Sequence, residues 1–158
     1  MIPTTARAVA EVFVLWLDRG RPRTVGARSV TPYRIPMDLD ADPLDCVGSA
    51  ITETAGEPSV LHSTSWRYEP PLILTFIAVL PKRVKGRSVR IECGRRNEVF
   101  DHALRHLAWL LREDEEIRSQ VSPGWESALA GYLAEPFRGP ALRGRPIPAE
   151  SGTVAALG

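Results

Sequence analysis

The 158-residue sequence is poor in several features, and each shortage excludes a class of protein. Its two cysteines, Cys46 and Cys93, form no CxxC pair, so neither a disulfide framework nor a cysteine zinc site is predicted. The apolar run over residues 8–17 contains Glu11, is too short to cross a bilayer and lacks a small-residue cleavage site. We therefore expect a cytoplasmic, bacterial protein, and we predict no cofactor.

The composition is that of a globular domain, with 44% hydrophobic and 25% charged residues. A chain of this length can bury a core without help from disulfides or metals. Residues 1–135 are expected to form one domain. Residues 136–158 are rich in proline, glycine and arginine and have few large apolar side chains, so they are predicted to form a flexible tail.

The net charge of +1 argues against general nucleic-acid binding, but the basic residues are concentrated in two blocks. The first block contains Arg19, Arg21, Arg23, Arg28 and Arg34, and the second contains Lys82, Arg83, Lys85, Arg87, Arg90, Arg95 and Arg96. Arginine presents a planar set of donors that suits phosphate and carboxylate. The blocks either form one anion-binding surface, if the fold joins them, or lie on separate solvated loops.

The hydrophobic pattern predicts a mixed α/β (α+β) fold, with a sheet of about four to five strands packed between helices. Strands are expected at residues 9–17, 29–35, 60–68, 72–80 and 88–93. Helices are expected at residues 43–55, 98–117 and 123–135, the last two forming a C-terminal pair. The predicted caps are Asp42, Asn97 and Ser122, and Gly56 is expected to end the first helix.

The strand at residues 60–68 carries the predicted ligand site. Regular alternation puts His62 and Trp66 on one face and Arg67 on the other. Trp66 could stack on a planar ligand and Arg67 could hold an anion, so these three residues are the predicted ligand-binding set. The serines of this strand lack a nucleophile-turn motif, and cross-strand hydrogen bonding is the alternative role for its hydroxyls.

The long C-terminal helix carries a second predicted site on its polar face. His102, His106 and Trp109 recur at helical spacing opposite the apolar stripe, and we predict them as a partner-binding surface. The alternative is that another part of this chain, such as the tail, covers the tryptophan. His102 and His106, with His62, could also share a metal. Ala103 stands where the zinc-peptidase pattern needs glutamate, and no metal site is predicted.

The order of elements resembles the Nudix fold, and the first helix carries traces of the Nudix signature. Aligning Gly56 with the last glycine of the signature puts Ile51 on its apolar position and Glu53 on one of its glutamates. The other positions differ and hold Ile35, Ala41, Ser49, Ala50 and Thr54. Family members use those carboxylates to hold magnesium, so the resemblance implies a Nudix-like sandwich that binds without hydrolysing.

The sequence therefore predicts a non-catalytic binding or regulatory module that recognises an anionic small ligand or a partner protein, which could be a second copy of the chain. The alternative is a metal-dependent hydrolase of a nucleotide-like or phosphorylated substrate, with the metal held by Glu53 and nearby acids or by the histidines. Nucleic acid and membranes are not expected partners.

Overall fold

The computed structural model describes residues 8–38, 40–91 and 97–137. Six strands form one mixed sheet: β1 (Ala8–Asp18), β2 (Arg21–Val25), β3 (Tyr33–Met37), β4 (Val60–Tyr68), β5 (Leu72–Val79) and β6 (Ser88–Arg90). The helices are α1 (Pro43–Thr54), α2 (Glu98–Glu113), α3 (Glu115–Gln120) and α4 (Gly124–Ala128). The predicted fold class is confirmed. Cys93 and nearly all of the predicted tail lie outside the described residues.

Strand β1 is the centre of the sheet. One edge pairs in parallel with β5, and the other pairs antiparallel with β3 near the start of the strand and with β2 near its end. The main path through the sheet is β4-β5-β1-β2-β6. Residues Ala8 to Trp16 of β1 are all buried, as their apolar character on both faces predicts.

Helices cover both faces of the sheet. On one face, Val47 and Ile51 of α1 pack in a cluster with the even-numbered β1 residues from Ala8 to Trp16. On the other face, α2 and α4 pack in a cluster that contains Phe13 and Leu15. The α2 and α4 members of that cluster include Phe100, Leu104, Leu107, Leu111 and Trp125. Within the described residues, no helix is both long enough and apolar enough to cross a membrane.

Two of the predicted helix caps are confirmed, and the C-terminal helices are shorter than predicted. Asp42 accepts a hydrogen bond from the Leu44 amide, and Asn97 accepts one from the Phe100 amide, each at 3.0 Å. Helix α2 ends at Glu113 because Asp114 adopts an extended conformation and caps α3 instead. Helix α4 has no side-chain cap and ends at Ala128, so the predictions of a Ser122 cap and of a helix reaching residue 135 are wrong.

The first hairpin was not predicted as a hairpin. Pro22 and the arginines of β2 obscure the strand pattern, and the loop that follows delays β3 to Tyr33. That loop turns sharply at Gly26, where φ is 154° and an added Cβ would lie 1.9 Å from the Ser29 carbonyl oxygen. The Gly26 amide also donates to the Arg87 carbonyl at 3.2 Å, which ties the loop to the segment before β6.

Replacing Gly26 with alanine should destabilise the protein by about 3 kcal/mol or more, because the new methyl group collides with backbone that cannot move aside alone. Gly86→Ala is the matched control, since φ there is 106° but nothing lies within 4 Å of the added Cβ. Its cost should be about 1 kcal/mol. Chemical denaturation measures both, and equal losses would show that the close contact at Gly26 has no energetic weight.

Candidate functional site

A β-bulge in β4 decides which predicted site residues lie together. The pairing with β5 shifts between Ser63, opposite Phe76, and Ser65, opposite Thr75, so Thr64 is an extra residue. Side chains after the bulge therefore point to the opposite face from the one that regular alternation predicts.

The predicted faces of β4 are consequently wrong. His62 lies opposite Ile77, a member of the core cluster under α2. Trp66 lies opposite Leu74, which packs in the cluster under α1. Arg67, on the strand position after Trp66, returns to the same face as His62. The structure thus separates Trp66 from His62, and brings His62 and Arg67 to the face of the sheet covered by α2.

Three histidine rings meet between β4 and α2. The ring centroids of His62 and His106 are 5.2 Å apart, and those of His102 and His106 are 6.2 Å apart. The Trp109 ring also stacks on His106, with centroids 5.6 Å apart and an angle of 14° between planes. This histidine cluster (His62, His102 and His106) joins residues that the sequence assigned to two different sites.

Hydrogen bonds to backbone carbonyls fix each ring of the histidine cluster. His62 Nδ1 donates to the Ser63 carbonyl at 2.8 Å, and His102 Nε2 donates to the Thr64 carbonyl at 3.1 Å. His106 Nδ1 donates to the Glu135 carbonyl at 3.1 Å. A carbonyl oxygen can only accept, so these contacts assign a proton to each of the three nitrogens.

The segment at residues 133–137, here called the C-terminal strap, lies across α2 at the histidine cluster. The Glu135 amide donates to the Arg105 carbonyl at 3.0 Å, and the Glu135 carboxylate accepts from Arg105 Nε at 2.6 Å. The same carboxylate oxygen is 3.5 Å from His102 Nδ1, and the Phe137 ring centroid is 6.3 Å from that of His106. Glu135 therefore contacts α2 through its amide, its carbonyl and its side chain.

The partner surface predicted on α2 is not available in this arrangement. His102 is 3% exposed and His106 is 1% exposed, so neither can form a solvent-facing contact surface. Trp109 is half-buried beside them. Other parts of the chain pack against this polar face: β4 contacts it at His102, and the C-terminal strap contacts it at His106.

His106 is in an unfavourable environment for a positive charge. The pKa of this imidazole is lowered to about 4. Burial is the largest cause, and the neighbouring His62 and His102 also lower the pKa, whereas the hydrogen bond to the backbone at the Glu135–Pro136 bond raises it by a smaller amount. Its Nε2 atom is buried without a hydrogen-bond partner. The folded protein therefore holds His106 neutral, with its proton on Nδ1.

The histidine cluster does not form a metal site of the usual kind. Among residues 8–38, 40–91 and 97–137, no group of three or more His, Cys, Asp or Glu side chains is arranged to hold a metal ion. Glu53, which the predicted resemblance aligns with a Nudix glutamate, is exposed on α1 in a shallow depression that also includes Asp45. Both metal hypotheses from the sequence therefore lack a set of ligands in the described part of the chain.

Arg67 is neutralised by a buried carboxylate and is not available for the predicted anion contact. Its Nη2 donates to Glu11 Oε1 at 2.6 Å, and Arg34 Nη2 lies 2.6 Å from the other oxygen of Glu11. Glu11 is 4% exposed, in the middle of β1. Arg67 also contacts Glu69 at 3.3 Å. We call Glu11, Arg34 and Arg67 the ionic triad; the sequence showed it only as one charged residue inside an apolar strand.

A basic cleft forms where the two arginine-rich blocks meet. Strands β2 and β6 pair antiparallel, with Arg23 opposite Arg90 and Val25 opposite Ser88. Beside this pair is a cleft of about 300 Å³. Its lining consists of Trp16, Asp18, Arg23, Arg83, Val84, Lys85, Gly86 and Ser88. Arg23 of the first block therefore lies in one cleft with Arg83 and Lys85 of the second, whereas Arg34 of the first block is bound to Glu11.

Arg23 is the ordered member of the basic cleft. Its Nε donates to Ser88 Oγ at 2.9 Å, and its Nη2 donates to the Ser88 carbonyl at 3.0 Å. These bonds hold the guanidinium across the β2–β6 pair, and neither of them uses Nη1. Arg83 and Lys85 are exposed on the loop before β6, and Trp16, 2% exposed, contributes to the inner wall.

Comparisons with known proteins provide little independent information. No protein-family model matches the chain, and no curated protein matches it. One similar solved structure is the C-terminal domain of mouse MUTYH in complex with human PCNA, at 8% sequence identity and a TM-score of 0.38. The match covers 81% of this chain and 92% of that chain. A likeness of this strength carries no argument, and the Nudix resemblance stays a prediction from the sequence.

Breaking the ionic triad should be costly. Glu11→Gln leaves the largely buried Arg67 charge beside Arg34 with only the exposed Glu69 to offset it. We expect a loss of about 3 kcal/mol in the free energy of unfolding, measured by denaturant titration. Arg34→Met is the control. The Arg34 side chain is 52% exposed, so solvent screens its charge and we expect a loss of about 1 kcal/mol or less.

A double variant isolates the pairwise contribution in the triad. If Glu11 and Arg67 interact as the distances indicate, Glu11→Gln combined with Arg67→Met should cost clearly less than the sum of the single changes. Strict additivity, or a Glu11→Gln cost no larger than that of Arg34→Met, would contradict a stabilising role for the pair.

Proposed function

We propose that this protein is a non-catalytic binding module that takes up a small anionic ligand in the basic cleft between β2 and the loop before β6. The observation that carries the proposal is that Arg23, from the first basic block, lies in one cleft with Arg83 and Lys85, from the second. The chain has a net charge of only +1, so an uneven distribution of this kind indicates a local role and not general affinity for polyanions.

The surroundings of the two groups of arginines support the basic cleft over the predicted Arg67 site. In the ionic triad, Arg34 and Arg67 are both bound to Glu11. In the basic cleft, Arg23 is held by a hydroxyl and a carbonyl, which orient its guanidinium without cancelling its charge. Arg83 and Lys85 add two further cations, against one acid in the lining, Asp18.

The lining of the cleft indicates the chemistry of the ligand. Arginine and lysine side chains suit a phosphate or carboxylate group, with Arg23 supplying the directional contacts. Trp16 and Val84 supply an apolar wall for an organic portion. Asp18 can accept a hydrogen bond from a hydroxyl or amine of the ligand. A small organic phosphate or carboxylate with at least one hydrogen-bond donor can contact the cationic side chains, the apolar wall and Asp18.

Binding without hydrolysis agrees with the sequence of α1. The signature positions held by Ser49, Ala50 and Thr54 offer no carboxylate, and Thr54 Oγ1 donates to the Ala50 carbonyl of its own helix at 2.7 Å. The alternative, a metal-dependent hydrolase, requires carboxylates or histidines gathered around a divalent cation, and the described residues offer no such group. The same architecture can hold an anion through cationic side chains alone.

Calorimetric titration with pyrophosphate at low ionic strength tests the proposal. We expect saturable binding to the wild type, and a reduction in affinity of about tenfold or more for the variant Arg83→Ala with Lys85→Ala, which equals a loss of at least about 1.4 kcal/mol. Arg112→Ala with Arg118→Ala is the control, because it removes the same charge at the end of α2 and in α3, beside a different depression. The control should bind nearly as tightly as the wild type.

Two outcomes would contradict the proposal. Equal losses in the two variants would mean that pyrophosphate responds to net charge and not to the basic cleft. Absence of saturable binding to the wild type, accompanied by strongly salt-dependent binding of a long single-stranded oligonucleotide, would favour nucleic acid over a small anion.

A further inference from the structure

We propose that the histidine cluster is a proton-operated latch: uptake of a proton by His106 releases the C-terminal strap from α2. The inference is independent of the basic cleft and rests on the contacts between α2, β4 and the strap. Its elements are the three rings of the histidine cluster, the strap residue Glu135 and the α2 residue Arg105.

The strap is held mainly through one residue. Leu133 is 82% exposed and Phe137 is 46% exposed, so apolar burial contributes little at either end. Between them, the Glu135 amide contacts Arg105 and the Glu135 carbonyl contacts His106. The Glu135 carboxylate contacts both Arg105 and His102. Segments with few buried apolar contacts open at low free-energy cost, so loss of a single contact set can shift this equilibrium.

If His106 took up a second proton while the strap was closed, the new N–H group would have no hydrogen-bond acceptor among the described residues. Nδ1–H already donates to Glu135, so an added proton must go to Nε2, which is buried and without a partner. The groups that face this ring are His62 from β4, His102 and Arg105 on α2, and Glu135 on the strap. The Glu135 carboxylate is already engaged by Arg105 at 2.6 Å, while His62 and His102 disfavour a neighbouring positive charge.

Opening of the strap removes the free-energy cost of a positive charge on buried His106. This cost determines the direction of the pH dependence. With the strap in place the pKa of His106 is about 4, below the ordinary value of 6.5 that solvent exposure would restore. The closed form binds fewer protons, so its advantage is complete above pH 6.5 and declines as the pH falls from 6.5 toward 4. At pH 4.5 the ratio of closed to open strap should be about 70-fold lower than at pH 7.5.

Release would uncover the part of α2 at His106 that the strap covers, while His102 stays bonded to the Thr64 carbonyl of β4. The sequence predicted this face as a partner surface, and the strap covers it in the structure. The latch therefore links the polar pattern of the helix to its burial: His106 holds the strap when it is neutral and becomes accessible when it is protonated.

Hydrogen exchange between pH 7.5 and 4.5, corrected for the intrinsic pH dependence of amide exchange, measures the opening directly. We expect protection of the Glu135 amide, followed in peptides that span the strap, to fall by at least tenfold while β1 and β5 remain protected. His106→Asn keeps an amide donor near the Glu135 carbonyl but cannot take up the proton, so its strap should stay equally protected across the range. His62→Asn is the matched control and should keep a pH dependence, because His106 remains titratable.

Three results would overturn the proposal. The first is a strap whose protection does not change with pH in the wild type. The second is a loss of protection in His106→Asn equal to that in the wild type. The third is a loss of strap protection in the wild type that runs parallel to a loss in β1 and β5, which would indicate global acid unfolding. Should His106→Asn fail to fold, NMR titration of the wild-type imidazole decides: a His106 pKa near 6.5 overturns the latch, and one well below it, with strap exchange that rises in parallel, supports it.

Discussion

The structure depends on the position of β1, which is paired along both edges and buried on both faces. Neither face of such an internal strand is open to solvent, so every side chain must pack against a neighbouring element. Each residue of β1 therefore determines which side chains can pack next to it. Phe13 and Leu15 support α2, and Val12 and Val14 support the layer that contains α1. Glu11 differs from its neighbours in charge but has a similar role, because its buried carboxylate binds both Arg34 from β3 and Arg67 from β4.

The same strand also places the basic cleft. Its last residues pair with β2, which in turn pairs with β6, and Trp16 reaches from β1 into the cleft wall. The two groups of arginines on this sheet therefore differ in electrostatic state for a simple structural reason. Arg34 and Arg67 face a carboxylate carried by the central strand, whereas Arg23 is bound to the neutral groups of Ser88. A charge that is already paired contributes to stability, whereas one that is oriented but unpaired remains able to bind a ligand.

Much of the fold followed from local sequence. The caps at Asp42 and Asn97, the two-faced apolar character of β1 and β5, and the apolar stripe of α2 depend on residues within a few positions of one another, and the structure agrees with them. The predictions that were wrong involved competition between local and distant effects. Asp114 begins a new helix where the pattern alone continues the old one. Residues 21–25 were predicted as part of a turn, because their own sequence does not show a strand pattern. They form a strand through pairing with β1 and β6.

The candidate sites were less predictable because their members come from distant parts of the chain. Arg23 and Ser88 are 65 positions apart, and Glu11 and Arg67 are 56 apart. The β-bulge at Thr64 changed the predicted site more than any single contact did, because it moved Arg67 to the face of His62 and Trp66 to the opposite face. No residue type in β4 predicts this bulge.

The sequence by itself determined the residue types at each site, the mixed α/β class and the polar character of one face of α2, since these depend on composition and short-range periodicity. Tertiary structure alone decided which charges are paired, which histidines are buried and which arginines share a cleft. The reason is physical: charge pairing, burial and pKa depend on distances between segments, and those distances exist only once the sheet has assembled around β1.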